Sequence, residues 1–71
     1  MKPAYVKWHG RWNGPQERRA ELRAGERGKG AKLAAVNYWP RSTTSRREAS
    51  SHFAAVARDA GYEIVGSDEG E

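Results

Sequence analysis

The sequence predicts a small α+β domain: a two- or three-stranded sheet with one amphipathic helix packed on one face, in the order strand, weak helix, strand, helix, strand. Three observations predict it. Residues 5–12 and 33–39 alternate in the two-residue rhythm of strands. Residues 45–60 place small and apolar side chains at helical spacing. A length of 71 residues leaves room for one domain.

In residues 5–12, Val6, Trp8 and Trp12 share one face, and Tyr5, Lys7, His9 and Arg11 the other. Gly10 falls on the apolar face and is expected to mark a bulge or a close backbone approach. Asn13-Gly14-Pro15 stops the strand, because proline cannot donate to a ladder. Residues 15–24 are rich in helix formers, with Pro15 near the first helical position and Gly25 placed for a C-cap. Their apolar residues, Ala20, Leu22 and Ala24, make no helical stripe, so the segment reads as a short polar helix. Residues 25–32 read as a flexible basic loop.

In residues 33–39, Ala34, Val36 and Tyr38 lie on one face and Leu33, Ala35, Asn37 and Trp39 on the other. Either could be the core face, and Pro40 ends the strand. Ser45-Arg46-Arg47-Glu48 fits a capping box, in which serine and glutamate each satisfy the other's orphan backbone donor. Ala49, Phe53, Val56, Ala57 and Ala60 form the stripe, and Gly61 stands where a left-handed C-cap is wanted. Residues 62–65 resume a short strand. The first two strands are expected to pair antiparallel, with residues 13–31 as an excursion between them. The crossover through the helix would set the last strand parallel to 33–39 if they share the sheet. A helix with one apolar stripe covers one sheet face and leaves the other open.

Composition bounds the function. Leu, Ile, Val and Phe number only eight, a count that by itself points toward disorder; three Trp and three Tyr offset it. The absence of cysteine excludes a disulfide framework and thiolate chemistry. The first residues carry no secretory h-region, and the longest apolar run, 33–36, is far short of the roughly 18 residues of a membrane span. A cytoplasmic protein without membrane contact is therefore expected. Nine Arg against four Lys, with 19 Ala and Gly, suit a GC-rich coding genome such as that of an actinobacterium or its phage.

The net charge of +4 is unevenly placed. Residues 1–58 hold all 13 bases against four acids, a net of +9, and residues 59–71 hold five acids and no base. The chain thus reads as a basic domain, 1–65, with an acidic and disordered end, 66–71. A basic body can face phosphates or be merely solvated.

Three groups could carry an interface. The outward face of the first strand offers Tyr5, Lys7, His9 and Arg11, joined by Trp39 if the second strand exposes it. Cations neutralise phosphates, and aromatic rings stack on bases. The excursion offers Arg18, Arg19, Arg23, Arg27, Lys29 and Lys32, with glycines 25, 28 and 30 permitting close approach to a backbone. Arg41, Arg46 and Arg47 gather at the N-terminus of the main helix, where cations oppose the dipole unless an anion is present.

Catalysis has little to stand on. Gly25 and Gly30 have P-loop spacing, but Ala31 stands where the lysine belongs. His9 and His52 lie on separate elements, and Glu48 with His52 supplies too few ligands for a metal. His52 borders the apolar stripe and reads as a packing residue. No catalytic residue, cofactor or metal is expected.

Two short patterns have counterparts elsewhere. Tyr38-Trp39-Pro40, then Thr44-Ser45-Arg46-Arg47-Glu48-Ala49 and Phe53, resembles the end of the three-stranded arm-type DNA-binding domain of tyrosine integrases, over residues 38–53. That family's short hairpins have no equivalent of the long excursion here. Ser45, Glu48-Ala49 and Ala60-Gly61-Tyr62-Glu63-Ile64-Val65 is similar to the ending of small phage proteins that inhibit host RNA polymerase. The first resemblance implies nucleic-acid binding, the second docking on a host protein.

The sequence therefore sets up a non-catalytic nucleic-acid-binding protein, with Arg11, Arg18, Arg19, Arg46 and Arg47 carrying affinity and Tyr5 and Trp39 stacking. The alternative is a protein-interaction module, such as a phage-encoded inhibitor on an acidic host surface, because Trp and Arg are the usual hot-spot residues. A homodimer completing a thin core is a third possibility.

Overall fold

A computed structural model describes residues 1–9 and 16–68. The expectations for Gly10, Arg11, Trp12 and the 13–15 turn, and for the last three residues, lie outside the described residues. The elements are β1 (Lys2–Trp8), β2 (Arg18–Ala24), β3 (Lys32–Tyr38), α1 (Thr43–Asp59) and β4 (Tyr62–Asp68). The strands form one mixed sheet in the order β3-β2-β1-β4. The α+β class with one helix stands, with four strands rather than two or three.

The added strand is β2, which replaces the polar helix expected over residues 15–24. Ala20 and Leu22, two residues apart, are both fully buried, while Arg19, Glu21 and Arg23 alternate onto the other face. The segment joins β1 and β3 antiparallel, with Val6 opposite Leu22 and Leu22 opposite Ala34. Backbone pairing on both sides outweighs the helix propensity of Arg, Glu, Leu and Ala, a preference of only a few tenths of a kcal/mol per residue. The first and second predicted strands are therefore not neighbours, because β2 separates them. β4 is parallel to β1 on the far edge and does not pair with β3.

Residues 66–68, expected in a disordered end, continue β4. Gly66, Ser67 and Asp68 pair with Tyr5, Val6 and Lys7, after a register break that leaves Val65 without a partner on β1. Residues 25–31 are also not a loose loop. The Gly25 and Gly30 N–H groups donate to the Pro3 and Ala24 carbonyls at 2.8 Å each, and Gly28 is buried.

The helix starts earlier than the capping box implied. Ser42 is the N-cap, and its hydroxyl accepts the Ser45 N–H at 3.1 Å. Ser45 sits inside the first turn, and its own hydroxyl accepts the Trp39 N–H at 2.9 Å, tying the helix start to the end of β3. The far end matches expectation: Gly61 has φ +80 and donates to the Arg58 carbonyl.

Ala49, Phe53 and Ala57 bury one helical stripe against Ala4, Val6, Trp8, Ala20, Leu22 and Tyr38, and Ala60 is exposed beyond it. The even-numbered face of β3 is thus the core face. Three rings anchor the layer: Trp8 meets Tyr38 edge-on at 4.9 Å and Phe53 at 6.3 Å. Such pairs add roughly 0.5–1.5 kcal/mol each beyond the area they bury. No helix among the described residues is long and apolar enough to cross a membrane.

Candidate functional site

The sheet face away from α1 carries Tyr5, Lys7 and His9 from β1 and its end, with Arg19, Glu21 and Arg23 from β2. Register sets Tyr5 opposite Arg23 and Lys7 opposite Glu21, and the His9 N–H donates to the Arg19 carbonyl at 3.0 Å. The alternation of the first strand placed Tyr5, Lys7 and His9 outward, and the unforeseen β2 adds Arg19 and Arg23, but the face is not a bare basic surface. Glu21, with 14% of its side chain exposed, lies among them: Arg23 Nε is 3.0 Å from its carboxylate, His9 Nε2 3.5 Å and Arg19 Nε 3.6 Å. The hydrogen bond from Arg23 holds the Glu21 carboxyl below the usual carboxylate range; burial pulls it upward, and His9 adds to the lowering. Sequence reasoning missed this carboxylate as an organiser. The signal is Arg19-x-Glu21-x-Arg23, a charge alternation that aligns on one face only if the segment is a strand.

A pH dependence follows. A carboxyl whose pKa is lowered by folding contributes stability in full above its unfolded value, and that contribution is lost as pH falls through the folded value. Glu21→Gln should therefore flatten the acid limb of a stability–pH curve, measured by urea unfolding at a series of pH values. An unchanged acid limb would refute the role assigned to Glu21.

The 25–31 loop folds over the same face. Arg23 Nη1 donates to the Gly30 carbonyl at 3.1 Å, and Gly28 lies so close to Tyr5 and Lys7 that a Cβ there would stand 3.0 Å from Lys7 Cε and 3.3 Å from Tyr5 Cδ1. On its other flank Tyr5 meets Gly66, where a Cβ would stand 3.0 Å from its ring. Of the three glycines expected to permit close approach of a phosphate backbone, Gly28 lies against the chain's own Tyr5 and Lys7, while Gly25 lies against the loop backbone and Gly30 against Ala24. Tyr5, expected to stack on a base, is half-buried between two glycines, and Arg23 holds the loop. Arg27 and Lys29 are exposed on that loop beside Glu26.

Arg18, Arg19 and the arginines of the α1 start belong to one end of the sheet, whereas Lys32 lies opposite Arg23 at the other. β2 starts where β3 ends, with Arg18 opposite Tyr38 and Arg19 opposite Asn37. Trp39 follows, 51% exposed. The Ser42 N–H donates to the Trp39 carbonyl at 2.9 Å, which turns the chain into α1 beside it. Arg41, Arg46 and Arg47 cluster at that helix start, Arg46 Nη2 donating to the Thr43 hydroxyl at 3.2 Å. No acid occupies the first turn of α1. The register of β2 and β3 thus brings Arg18 and Arg19 to the end of the sheet from which the exposed Trp39 and the start of α1 follow. Arg11, expected to share this interface, lies outside the described residues. His52 tilts against the Phe53 ring at 6.0 Å, one helical turn after Glu48. Among the described residues no group of three metal-ligating side chains gathers.

Compared with known proteins, the chain matches no family model, no curated protein and no solved structure.

Proposed function

We propose that this protein binds nucleic acid without catalysis, at the end of the sheet where Trp39 stands between Arg18 and Arg19 on one side and the start of α1 with Arg41, Arg46 and Arg47 on the other. The carrying observation is the half-exposed Trp39 in that setting. Arginines neutralise phosphates and release counterions. The indole offers a flat apolar ring for a base. The N-terminus of α1, lacking an acid and bearing arginines, is set electrostatically for an anion. The open face adds less, because Glu21 offsets its cations and the glycine loop covers Tyr5.

Fluorescence anisotropy with a labelled single-stranded oligonucleotide, titrated at salt from about 50 to about 200 mM, tests the reading. Log affinity should fall linearly with log salt, by roughly 0.7 per phosphate neutralised. Trp39→Ala should weaken binding without changing that slope, by the ~1–3 kcal/mol a stacked base contributes. Arg18→Gln should lower the slope itself. No binding at the low-salt end, or an affinity indifferent to salt, would overturn the proposal.

A further inference from the structure

We propose that the β3 edge of the sheet pairs antiparallel with β3 of a second copy, about a two-fold axis at Ala35, to make one continuous eight-stranded sheet. The inference does not rest on nucleic-acid binding. It begins with the difference between the two sheet edges. β4 carries Glu63 and Asp68, a glycine and a register break, the devices by which an edge strand resists pairing. β3 carries no acid and no glycine, and its one charge is Lys32 at its start. From Leu33 to Val36 it runs Leu-Ala-Ala-Val, all four half-buried, and among the described residues no strand lies on its outer side. Its one register irregularity falls at Leu33, ahead of the stretch that would pair.

Charge selects a second copy as the occupant. In a chain of net +4, residues 33–38 hold no charge, so two copies can meet there without like charges facing. The strand is also self-complementary. A two-fold at Ala35 sets Ala34 opposite Val36 of the other copy and Leu33 opposite Asn37, and it sends the two Lys32 residues to opposite ends. An acidic ligand would find no cation along this stretch. Beside the strand, a cleft of about 200 Å³ opens between α1 and β3, lined by Val36, Asn37, Ser45, Glu48, Ala49 and His52. Stable interfaces bury about 1,200 Å² or more, so the proposed pairing sets the second copy against this cleft as well as the strand. A core with so few large aliphatics gains most from such an extension. The two arginine ends would point in opposite directions, leaving each Trp39 outside the joint.

The test uses the intact chain. Light scattering coupled to size exclusion should give about twice the 7.9 kDa chain mass, rising with concentration and little affected by salt. Ala35→Lys should return it to a single-chain mass, because the two lysines would face each other across the axis; within its own chain the lysine faces Glu21, so circular dichroism should stay native. The chain has no cysteine, so Ala35→Cys reports the axis directly. Residues directly opposed in an antiparallel pair stand ~4.5–5.5 Å apart at Cα, within disulfide reach. Mild oxidation should cross-link Ala35→Cys and leave the β4-edge control Val65→Cys unlinked. A single-chain mass up to about 1 mM, a dimer unmoved by Ala35→Lys, or equal cross-linking of both cysteine variants would overturn the proposal. Nucleic-acid binding by a single-chain species would overturn the pairing alone and leave the proposed function standing.

Discussion

Phe53→Ala should cost the domain about 3–5 kcal/mol and leave much of it unfolded near room temperature. Native domains hold roughly 0.05–0.15 kcal/mol per residue, so a chain this short has few kcal/mol in reserve. Phe53 is fully buried, and it is the one large side chain that α1 sinks into the sheet: its stripe neighbours Ala49 and Ala57 add little volume. Its ring packs edge-on against Trp8, which in turn packs against Tyr38. Removing it opens a cavity beneath the centre of the helix, bounded by rings that cannot collapse into it without leaving their own partners. Urea unfolding followed by circular dichroism, with tryptophan fluorescence as a second probe, checks the value. A loss below about 1 kcal/mol would mean that the helix is held by its ends, through Ser42 and Gly61, rather than by its face.

Phe53 was legible in the sequence, and so was the layer it closes. The stripe from Ala49 to Ala57, the glycine at 61, and the inward pair Val6 and Trp8 are local patterns whose partners lie one turn or two residues away. The face away from the helix was also legible, since a helix with one apolar stripe can cover only one side. What failed was what pairing decides. The segment 18–24 is built of good helix formers and becomes a strand because it has a neighbour on each side, which composition cannot reveal. With β2 unread, Glu21 could not be seen among Arg19, Arg23 and His9, nor Arg18 beside Tyr38 and Trp39. The arginines at 18–19 and at 41–47 read as two separate groups; only the antiparallel register of β2 and β3 brings them to one end of the sheet. The cap was misplaced for a related reason. Ser42 and Ser45 both fit an N-cap by residue type, and the hydrogen bond from the Trp39 N–H takes Ser45 for the β3–helix junction.

Gly28→Val should destabilise the protein more than Gly61→Val, by about 1–3 kcal/mol, although both glycines have positive φ. Each substitution forces an L side chain into the left-handed region, at a cost of roughly 1–2 kcal/mol. The surroundings then differ. A Cβ on Gly61 meets nothing within 4 Å, so conformation alone is charged there. A Cβ on Gly28 presses on Tyr5 and Lys7, and Tyr5 cannot retreat, because Gly66 already lies against its other flank. The loop must lift, which breaks the Arg23 bond to the Gly30 carbonyl and exposes the Gly25 and Gly30 N–H groups that now donate at 2.8 Å. Hydrogen exchange at those two amides should quicken in Gly28→Val and stay native in Gly61→Val; equal destabilisation by the two variants would deny the loop any packing role. The same variant locates the interface. Tyr5 and Arg23 lie toward the loop end of β1 and β2, whereas Arg18 and Trp39 lie at the other end of the sheet. Uncovering the loop end should therefore leave the affinity of folded protein for nucleic acid unchanged. A rise would extend the interface along the open face to Tyr5, because lifting the loop frees the ring and the Arg23 guanidinium together.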